Sequence, residues 1–250
     1  MLNTLRRYYF KLFQEKILRD DFVARLHCSI VGASMMPNGN IFALDYAIQR
    51  LPKEGSLLEI GSFGGMSANI ITYFLQKYQQ PHRFFTCDPW IYEGFYDKTK
   101  REDIQYMKYI DGSQEIEREQ YTNFIKTSFL QATRFFSASR LPHSFQFTSD
   151  EFFANWRKQA NITDLFEKEV KLGGSIAFAY IDGDHSYQQA KRDFENVYEY
   201  LTDGGFILLD DSADFQSFGS AILAREIAKS YPNLKLVMKN PHYLWQKIKS

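Results

Sequence analysis

From residue 41 onward, short apolar strands alternate with amphipathic helices, and this alternation limits the fold more than any other feature. The pattern predicts strands at residues 56–61, 83–88, 145–150, 175–182 and 204–211, and a closing antiparallel pair at 234–239 and 243–249. Strands that are apolar throughout indicate a parallel sheet covered on both faces. We therefore predict an α/β fold: a Rossmann-like, doubly wound, mostly parallel seven-stranded sheet with a C-terminal antiparallel strand pair.

Two segments depart from this rhythm. Residues 1–40 are predicted to form an N-terminal helical extension or lid, because apolar residues recur at helical spacing in Leu5, Tyr9, Leu12, Phe13 and Ile17. This helix would pack against the body or support a homo-oligomer. The main domain, 41–250, contains an aromatic-rich insertion at 91–142 with a helix predicted at 118–136. An insertion of this length covers a substrate, forms a dimer contact or decorates the surface.

Charge and cysteine content exclude several classes of protein. The 250 residues include 30 basic and 30 acidic side chains, so the basic surplus of a nucleic-acid-binding protein is absent. The charged N-terminal segment contains no apolar run suited to a signal peptide or a membrane span. Cys28 and Cys87 lie far apart with no CxxC partner, which suits a reducing compartment. We expect a cytoplasmic protein with no nucleic-acid or membrane partner.

Acidic residues stand at the end of each predicted parallel strand. Open parallel sheets bind ligands beyond the carboxyl ends of their strands. Those ends carry Glu59-Ile60-Gly61, Asp88, Ser149-Asp150, Asp182-Gly183-Asp184-His185 and Asp210-Asp211. Random decoration would rarely gather so many carboxylates on one edge, so this edge is the predicted site.

The turn after the first strand is built for close approach by a ligand. Gly61 permits a tight turn, and Gly64 and Gly65 let backbone approach a ligand at the helix start. A dinucleotide fingerprint would need glycine where Phe63 stands, and the lysine of a phosphate loop is absent. Asp88 could accept both hydroxyls of a ribose.

The third strand end adds a second contact for the same ligand. Asp150, with Ser149, could accept from an adenine amino group, although each acid alone could equally be a helix cap or a turn residue. Together with the glycine turn, these acids predict a site for an adenosine without phosphates, as in S-adenosylmethionine.

The segments that carry these residues resemble a known family. Glu59–Ser67, Cys87–Trp90, Tyr180–Tyr187 and Leu208–Asp211 are similar to motifs of class I S-adenosylmethionine-dependent methyltransferases. Within that superfamily, residues 41–249 most resemble the metal-dependent sugar O-methyltransferases of the macrocin O-methyltransferase-like group. The resemblance implies methyl transfer, assisted by Mg²⁺, to a hydroxyl of a small molecule such as a sugar or a polyhydroxylated natural product.

The resemblance also implies roles for individual residues. Gly61, Gly65 and Ser67 would line the methionine moiety, and Glu59 would hold the turn or the amino group. Asp88 would bind the ribose and Ser149 with Asp150 the adenine. The implied metal ligands are Asp182, Asp210 and Asp211, with Asp182 also bordering the cofactor, and Asp184 or His185 would be the general base.

Elementary chemistry agrees with a cation at this edge. Three converging carboxylates repel one another unless a cation lies among them, and Mg²⁺ prefers oxygen ligands. With no cysteine or second histidine nearby in the sequence, zinc and a two-histidine iron site are not expected. His185 is favoured as base because its ordinary pKa lies near working pH. A capping role for His185 or Asp184, and a turn role for Asp211, stay open.

Two other functions remain as alternatives. One is a nicotinamide-dependent oxidoreductase, which Phe63 and the three acids oppose. The other is a non-catalytic binding protein that retains the methyltransferase fold and its pocket.

Overall fold

A computed structural model describes residues 16–91, 111 and 117–249. The strands in chain order are β1 (Ser56–Ile60), β2 (Phe84–Cys87), β3 (His143–Phe145), β4 (Asn161–Thr163), β5 (Glu169–Lys171), β6 (Ile176–Ile181), β7 (Leu201–Leu209), β8 (Leu234–Lys239) and β9 (Tyr243–Lys247). Seven of them form one sheet in the order β3-β2-β1-β6-β7-β9-β8. Within this sheet, β9 runs in the direction opposite to the other six strands and pairs antiparallel with β7 and β8. The predicted α/β sheet and its closing antiparallel pair are confirmed.

Helices cover both faces of this sheet. They are α1 (Asp21–Ser29), α2 (Asn38–Ile48), α3 (Met66–Lys77), α4 (Arg118–Phe136), α5 (Ser149–Arg157), α6 (Tyr187–Tyr200) and α7 (Gly219–Ser230), with a short 3₁₀ turn at Ala33–Met35. The helix predicted at 118–136 is confirmed as α4. In the described part of the chain, no helix combines the length and apolarity needed to cross a bilayer.

The core is divided by the sheet into two layers. Successive strand residues point to opposite faces, so Leu57 joins one cluster and Leu58 the other. Helices α1 to α4 contribute to the first cluster, and α5 to α7 to the second. Val23 of α1 is fully buried in the first layer, and α2 runs through residue 40, the predicted domain boundary. Residues on both sides of that boundary therefore share one core.

The strand register aligns the carboxyl ends that carry the acids. Ile60 at the end of β1 pairs with Cys87 of β2 on one side and Ile181 of β6 on the other. Ile181 in turn pairs with Leu209 of β7. The strand order reverses between β1 and β6, which is where open α/β sheets form their ligand crevice.

The third strand differs from its prediction. A strand was predicted at 145–150, whereas β3 ends at Phe145 and α5 begins at Ser149. Thr148 accepts a hydrogen bond from the backbone N–H of Glu151, whose side chain accepts from the Thr148 N–H. This capping box starts a helix, so Ser149 and Asp150 lie in its first turn rather than in a strand. The antiparallel pair β4–β5 was not predicted.

Parts of two predictions lie outside the described residues. These are the N-terminal helix up to residue 15 and most of the aromatic insertion, residues 92–110 and 112–116.

Candidate active site

The turn after β1 requires glycine at Gly61. Its φ is +85°, and a Cβ there would lie 2.0 Å from the carbonyl oxygen of Asp182. Gly65, at φ +92°, precedes α3, where a Cβ would lie 3.0 Å from the Phe129 ring. Backbone at both positions has the left-handed conformation that favours glycine. The turn backbone therefore lies against the end of β6 and against α4, with no room for a Cβ at Gly61 and little at Gly65.

Asp88, which directly follows the neighbouring strand β2, stabilises this turn by hydrogen bonds. Its Oδ2 accepts hydrogen bonds from the backbone N–H groups of Ser62 and Phe63, each at 2.8 Å, and its Oδ1 accepts from Trp90 N at 2.6 Å. Burial raises the pKa of Asp88, although the three backbone donors oppose the rise. Trp90 Nε1 donates to the Phe63 carbonyl at 3.0 Å. The residue predicted to bind ribose thus also shapes the glycine turn.

Glu59 is a fully buried carboxyl group beside the same turn. Its Oε2 accepts from the Ser62 hydroxyl at 2.9 Å, and its Oε1 has no hydrogen-bond partner among the described residues. Burial raises the pKa of Glu59 to about 8, a rise that the nearby Ser67 and Ser62 hydroxyl groups only partly oppose. The group is therefore mostly protonated at neutral pH, and a positively charged ligand beside it would favour its ionised form.

Ser149 and Asp150 occupy different environments. Ser149 is buried, and its hydroxyl accepts from Gln189 Nε2 at 3.0 Å. Gln189 Nε2 also donates to Asp193 Oδ1 at 2.9 Å, and burial raises the pKa of Asp193 to about 6. Asp150 is 53% exposed and lies 3.5 Å from Arg192 on α6. Sequence analysis did not find Asp193, because a single acid within an amphipathic helix carries no signal.

Three of the predicted acids and His185 come together after β6 and β7. His185 Nε2 lies 3.5 Å from Asp211 Oδ2 and 3.9 Å from Asp182 Oδ1. Asp182, His185 and Asp210 offer ligand atoms that all lie within 4.8 Å of one another. Desolvation and the Asp210 carboxylate raise the pKa of Asp182 well above its usual value. Repulsion of this kind is what a bound cation relieves.

Asp210 is held by three side chains that sequence analysis did not assign to the site. Its Oδ1 accepts from the amide of Asn40 and from the Tyr180 hydroxyl at 2.7 Å, and it lies 3.0 Å from His242 Nδ1, which is also 3.0 Å from the Asn40 amide nitrogen. Burial opposes ionisation of Asp210, but the bonds from His242 and Tyr180 outweigh it and lower its pKa. The Asp210 carboxyl group is therefore ionised, whereas the raised pKa of Asp182 favours its protonated form.

His242 corrects the argument that no second histidine lies near the acids. It precedes Tyr243, which pairs with Leu209, so the β7–β9 register sets His242 beside Asp210. Asp210, Asp211 and His242 form a second group of ligand atoms within 4.8 Å of one another. His242 could have been found from the sequence by pairing the predicted C-terminal strand with β7.

Asp184 and Asp211 also take part in local turns. Asp184 is exposed and accepts from the backbone N–H of Ser186 at 2.7 Å, where Ser186 caps α6. Asp211 has φ +46°, and its Oδ1 accepts from Gln216 Nε2 at 2.7 Å. Asp211 thus combines a turn conformation with a position in the acidic cluster, while Asp184 begins a helix.

Comparison with known proteins identifies the family of this chain. Residues 58–212 match the family model described as a methyltransferase domain. The match spans more than half of the chain, and the protein belongs to this methyltransferase domain family.

Individual relatives are distant. The uncharacterized protein R132 of Acanthamoeba polyphaga mimivirus is 42% identical over 45 residues, which span 18% of this chain and 20% of that protein. The O-methyltransferase NovP is 16% identical over 86% of this chain and 82% of its own, with a TM-score of 0.53.

Two further solved structures have the same fold. TomG, an O-methyltransferase from Streptomyces achromogenes solved in complex with S-adenosylmethionine, is 11% identical over 98% of this chain and 96% of its own (TM-score 0.52). The calicheamicin TDP-rhamnose 3′-O-methyltransferase CalS11 is 16% identical over 96% of this chain and 93% of its own (TM-score 0.53).

Proposed function

We propose that this protein transfers the methyl group of S-adenosylmethionine to a hydroxyl oxygen of a small polyhydroxylated molecule such as a sugar, with a divalent cation, magnesium in the first instance, at the carboxyl edge of the sheet. One observation carries the proposal: the glycine turn after β1 and the cluster of Asp182, His185, Asp210 and Asp211 adjoin at one edge. The family match and the fold shared with O-methyltransferases favour oxygen as the accepting atom.

The residues around the turn suit the methionine end of the donor. When bound, S-adenosylmethionine supplies an activated methyl group on a positively charged sulfur and carries an ammonium group. Oε1 of Glu59 has no hydrogen-bond partner among the described residues, so once a cationic ligand ionises the carboxyl group, this oxygen would accept a hydrogen bond from the ammonium group. Gly61 and Gly65 let the turn lie close against the end of β6 and against α4, and the Ser67 hydroxyl beside Glu59 lowers the pKa of that carboxyl group.

The adenosine end would lie beyond β2. Asp88 uses three acceptor positions on backbone N–H groups, and an ionised carboxylate has about four. This leaves capacity for one ribose hydroxyl rather than for both. Ser149, buried beside Gln189 and Asp193, is a better adenine contact than the exposed Asp150.

The acids and His185 suit activation of the acceptor. Asp182, Asp210 and Asp211 would hold a divalent cation, which would supply polarisation of the acceptor hydroxyl group. His185 is the proposed base because its Nε2 faces the acids and its side chain is 31% exposed, within reach of an acceptor. The acceptor oxygen forms a bond to the methyl carbon as the carbon–sulfur bond breaks and S-adenosylhomocysteine leaves, and the hydroxyl proton passes to His185 Nε2. Asp184, engaged with Ser186, is the weaker alternative.

Calorimetric titration tests the donor site first. We expect micromolar binding of both S-adenosylmethionine and S-adenosylhomocysteine, and a loss of at least tenfold in Asp88→Ala. Asp184→Ala is the matched control and should bind both ligands as the wild type does. If neither ligand binds to the wild type, the methyltransferase proposal is wrong.

A second experiment tests catalysis. A panel of hydroxylated acceptors, sugar nucleotides included, is incubated with the protein, the donor and Mg²⁺, and mass spectrometry detects a product 14 Da heavier. His185→Ala should lower turnover by about 10²–10⁴-fold, the usual contribution of a general base. Donor binding with no turnover on any acceptor would instead favour a non-catalytic binding protein.

A further inference from the structure

We infer that a cleft at the amino edge of the sheet, opposite the candidate active site, binds the phosphate group of a small molecule. The inference concerns a separate site and does not depend on the proposed methyl transfer. It rests on two adjoining cavities with volumes of about 290 and about 360 Å³, which together we call the amino-edge cleft. Residues 81–83 line both cavities, so the two share one wall.

The cleft lies where the parallel strands begin. Apart from Thr72 and Leu75 of α3, its lining residues lie just before or at the start of β1, β2, β3 and β6. Parallel strands begin at one edge of a sheet and end at the other, and the five residues of β1 span about 16 Å. A small molecule bound in the cleft is therefore too far from the acids after β6 and β7 to be the methyl acceptor.

The wall of the cleft contains cationic side chains without acidic partners. Lys53, Arg83 and Arg140 line it, and the described lining residues include no aspartate or glutamate. Arg83 donates to the backbone carbonyl of Lys171 at 3.2 Å, and Arg140 donates to that of His82. Neither guanidinium group forms an ion pair with a carboxylate in the part of the chain that the structure describes. Burial lowers the pKa of Arg140, and a bound anion would offset this loss of solvation.

Two buried polar atoms belong to residues that line the smaller cavity and have no partner there. Thr72 is 2% exposed and His82 is 6% exposed. Thr72 Oγ1 and His82 Nδ1 form no hydrogen bond with any described residue. Buried polar atoms are nearly always hydrogen-bonded, so both atoms indicate a bound group that supplies the missing bonds.

The second ring nitrogen of His82 fixes what Nδ1 can do. Nε2 lies 2.7 Å from the backbone carbonyl oxygen of Pro52, which can only accept, so Nε2 carries a proton. Nδ1 of the neutral ring can then accept from the P–OH group of a phosphate monoanion, and Nδ1 of the protonated ring can donate to a dianion. His143, the other histidine of the cleft, is engaged with Asp164 Oδ2 at 2.7 Å.

This set of donors suits a tetrahedral oxyanion. The Thr72 hydroxyl, the His82 ring and two guanidinium groups come from α3 and from the segments before β2 and β3. Guanidinium groups bind phosphate oxygens in pairs, and phosphate offers oxygens in several directions. A carboxylate has only two oxygens, both in one plane, and would leave some of these donors unused. The larger cavity beside this group leaves room for the organic part of a phosphate monoester.

Calorimetric titration of inorganic phosphate into the full chain tests the site, with EDTA present to remove any cation from the acidic edge. Phosphate affinity should fall about fivefold or more in Arg140→Gln and in Thr72→Val. Thr72→Val keeps the side-chain shape and removes a hydroxyl without a partner, so its stability in urea without phosphate should be at least that of the wild type. Arg225→Gln, which removes an exposed arginine of α7, is the control for net charge and should bind phosphate as the wild type does.

Two further measurements define the ligand and its position. Tighter binding of ribose 5-phosphate than of inorganic phosphate would identify the ligand as a phosphate monoester, and the reverse order would identify it as free phosphate. Nitrogen NMR of the histidine rings should show that phosphate shifts the His82 signals and leaves those of His185 unchanged.

Four results would overturn the inference. They are no binding of either phosphate compound, acetate binding as tight as that of phosphate, phosphate affinity that falls no further in Arg140→Gln and Thr72→Val than in Arg225→Gln, or NMR shifts at His185 without shifts at His82. None of these measurements involves the methyl donor, so failure of this inference and failure of the proposed methyl transfer are distinguishable.

Discussion

Replacing Glu59 with Gln should remove a dependence of protein stability on pH. The carboxyl group is 0% exposed, and its pKa is raised from 4.5 to about 8. Between these two values the unfolded chain has lost the proton that the folded chain keeps. The free energy of unfolding therefore falls as pH rises through this window. The contribution of Glu59 is complete below pH 4.5 and is lost by about pH 8.

The size of the effect follows from the shift. Each pH unit corresponds to about 1.4 kcal/mol, so the wild type should lose about 3 kcal/mol from this group by pH 7 and about 5 kcal/mol by pH 8. Gln places an amide N–H₂ where Oε1 has no partner, which costs about 1–3 kcal/mol at every pH. The slope of the unfolding free energy against pH, and not the stability at one pH, therefore reports the ionisation of the Glu59 carboxyl group.

Urea denaturation of the ligand-free protein at several pH values between 4 and 8 measures this slope. Asp193→Asn is a matched control because Asp193 is also a buried acid, and its pKa is raised from 3.8 to about 6. It should flatten the profile only below about pH 6, by about 3 kcal/mol in total. Glu59→Gln should flatten it up to about pH 8. A Glu59→Gln profile parallel to that of the wild type between pH 6 and 8 would refute the argument that Glu59 is held protonated.

Three other substitutions have definite expected outcomes. In urea denaturation, Gly61→Ala should lower the free energy of unfolding by at least about 2 kcal/mol more than Gly174→Ala does. Gly174 is the control because its φ is also positive but the space around it is open. Equal losses in the two variants would contradict the clash with Asp182. Phe194→Ala should cost about 3–5 kcal/mol, since the ring is fully buried in the second layer, while affinity for S-adenosylhomocysteine in calorimetry stays unchanged. Tyr180→Phe removes one hydrogen-bond donor to Asp210, so the pKa of that carboxyl group should rise. The affinity of the protein for a divalent cation at pH 6 should then fall severalfold. An unchanged affinity would show that Asn40 and His242 are enough to keep Asp210 ionised.

Much of the fold is readable from local sequence because its determinants are local. Apolar runs such as Ile176–Ile181 become strands buried on both faces, and the apolar spacing after Tyr187 becomes α6. The error at β3 is also local. The strand prediction follows Phe145 and Phe147 past Thr148, whereas Thr148 and Glu151 form a capping box that starts a helix.

The candidate site divides in the same way. The glycine turn and the acids at the strand ends could be predicted, because parallel strands bring residues that follow each strand to one edge. Asn40 could not, since it reaches Asp210 across 170 residues of chain. His242 could be found only by extending the predicted antiparallel pairing to β7. Sequence by itself determined which residues end the strands, and with them the acidic edge. Only tertiary structure decided what surrounds Asp210, because α2 and the β7–β9 pairing bring an amide and an imidazole to it from distant parts of the chain.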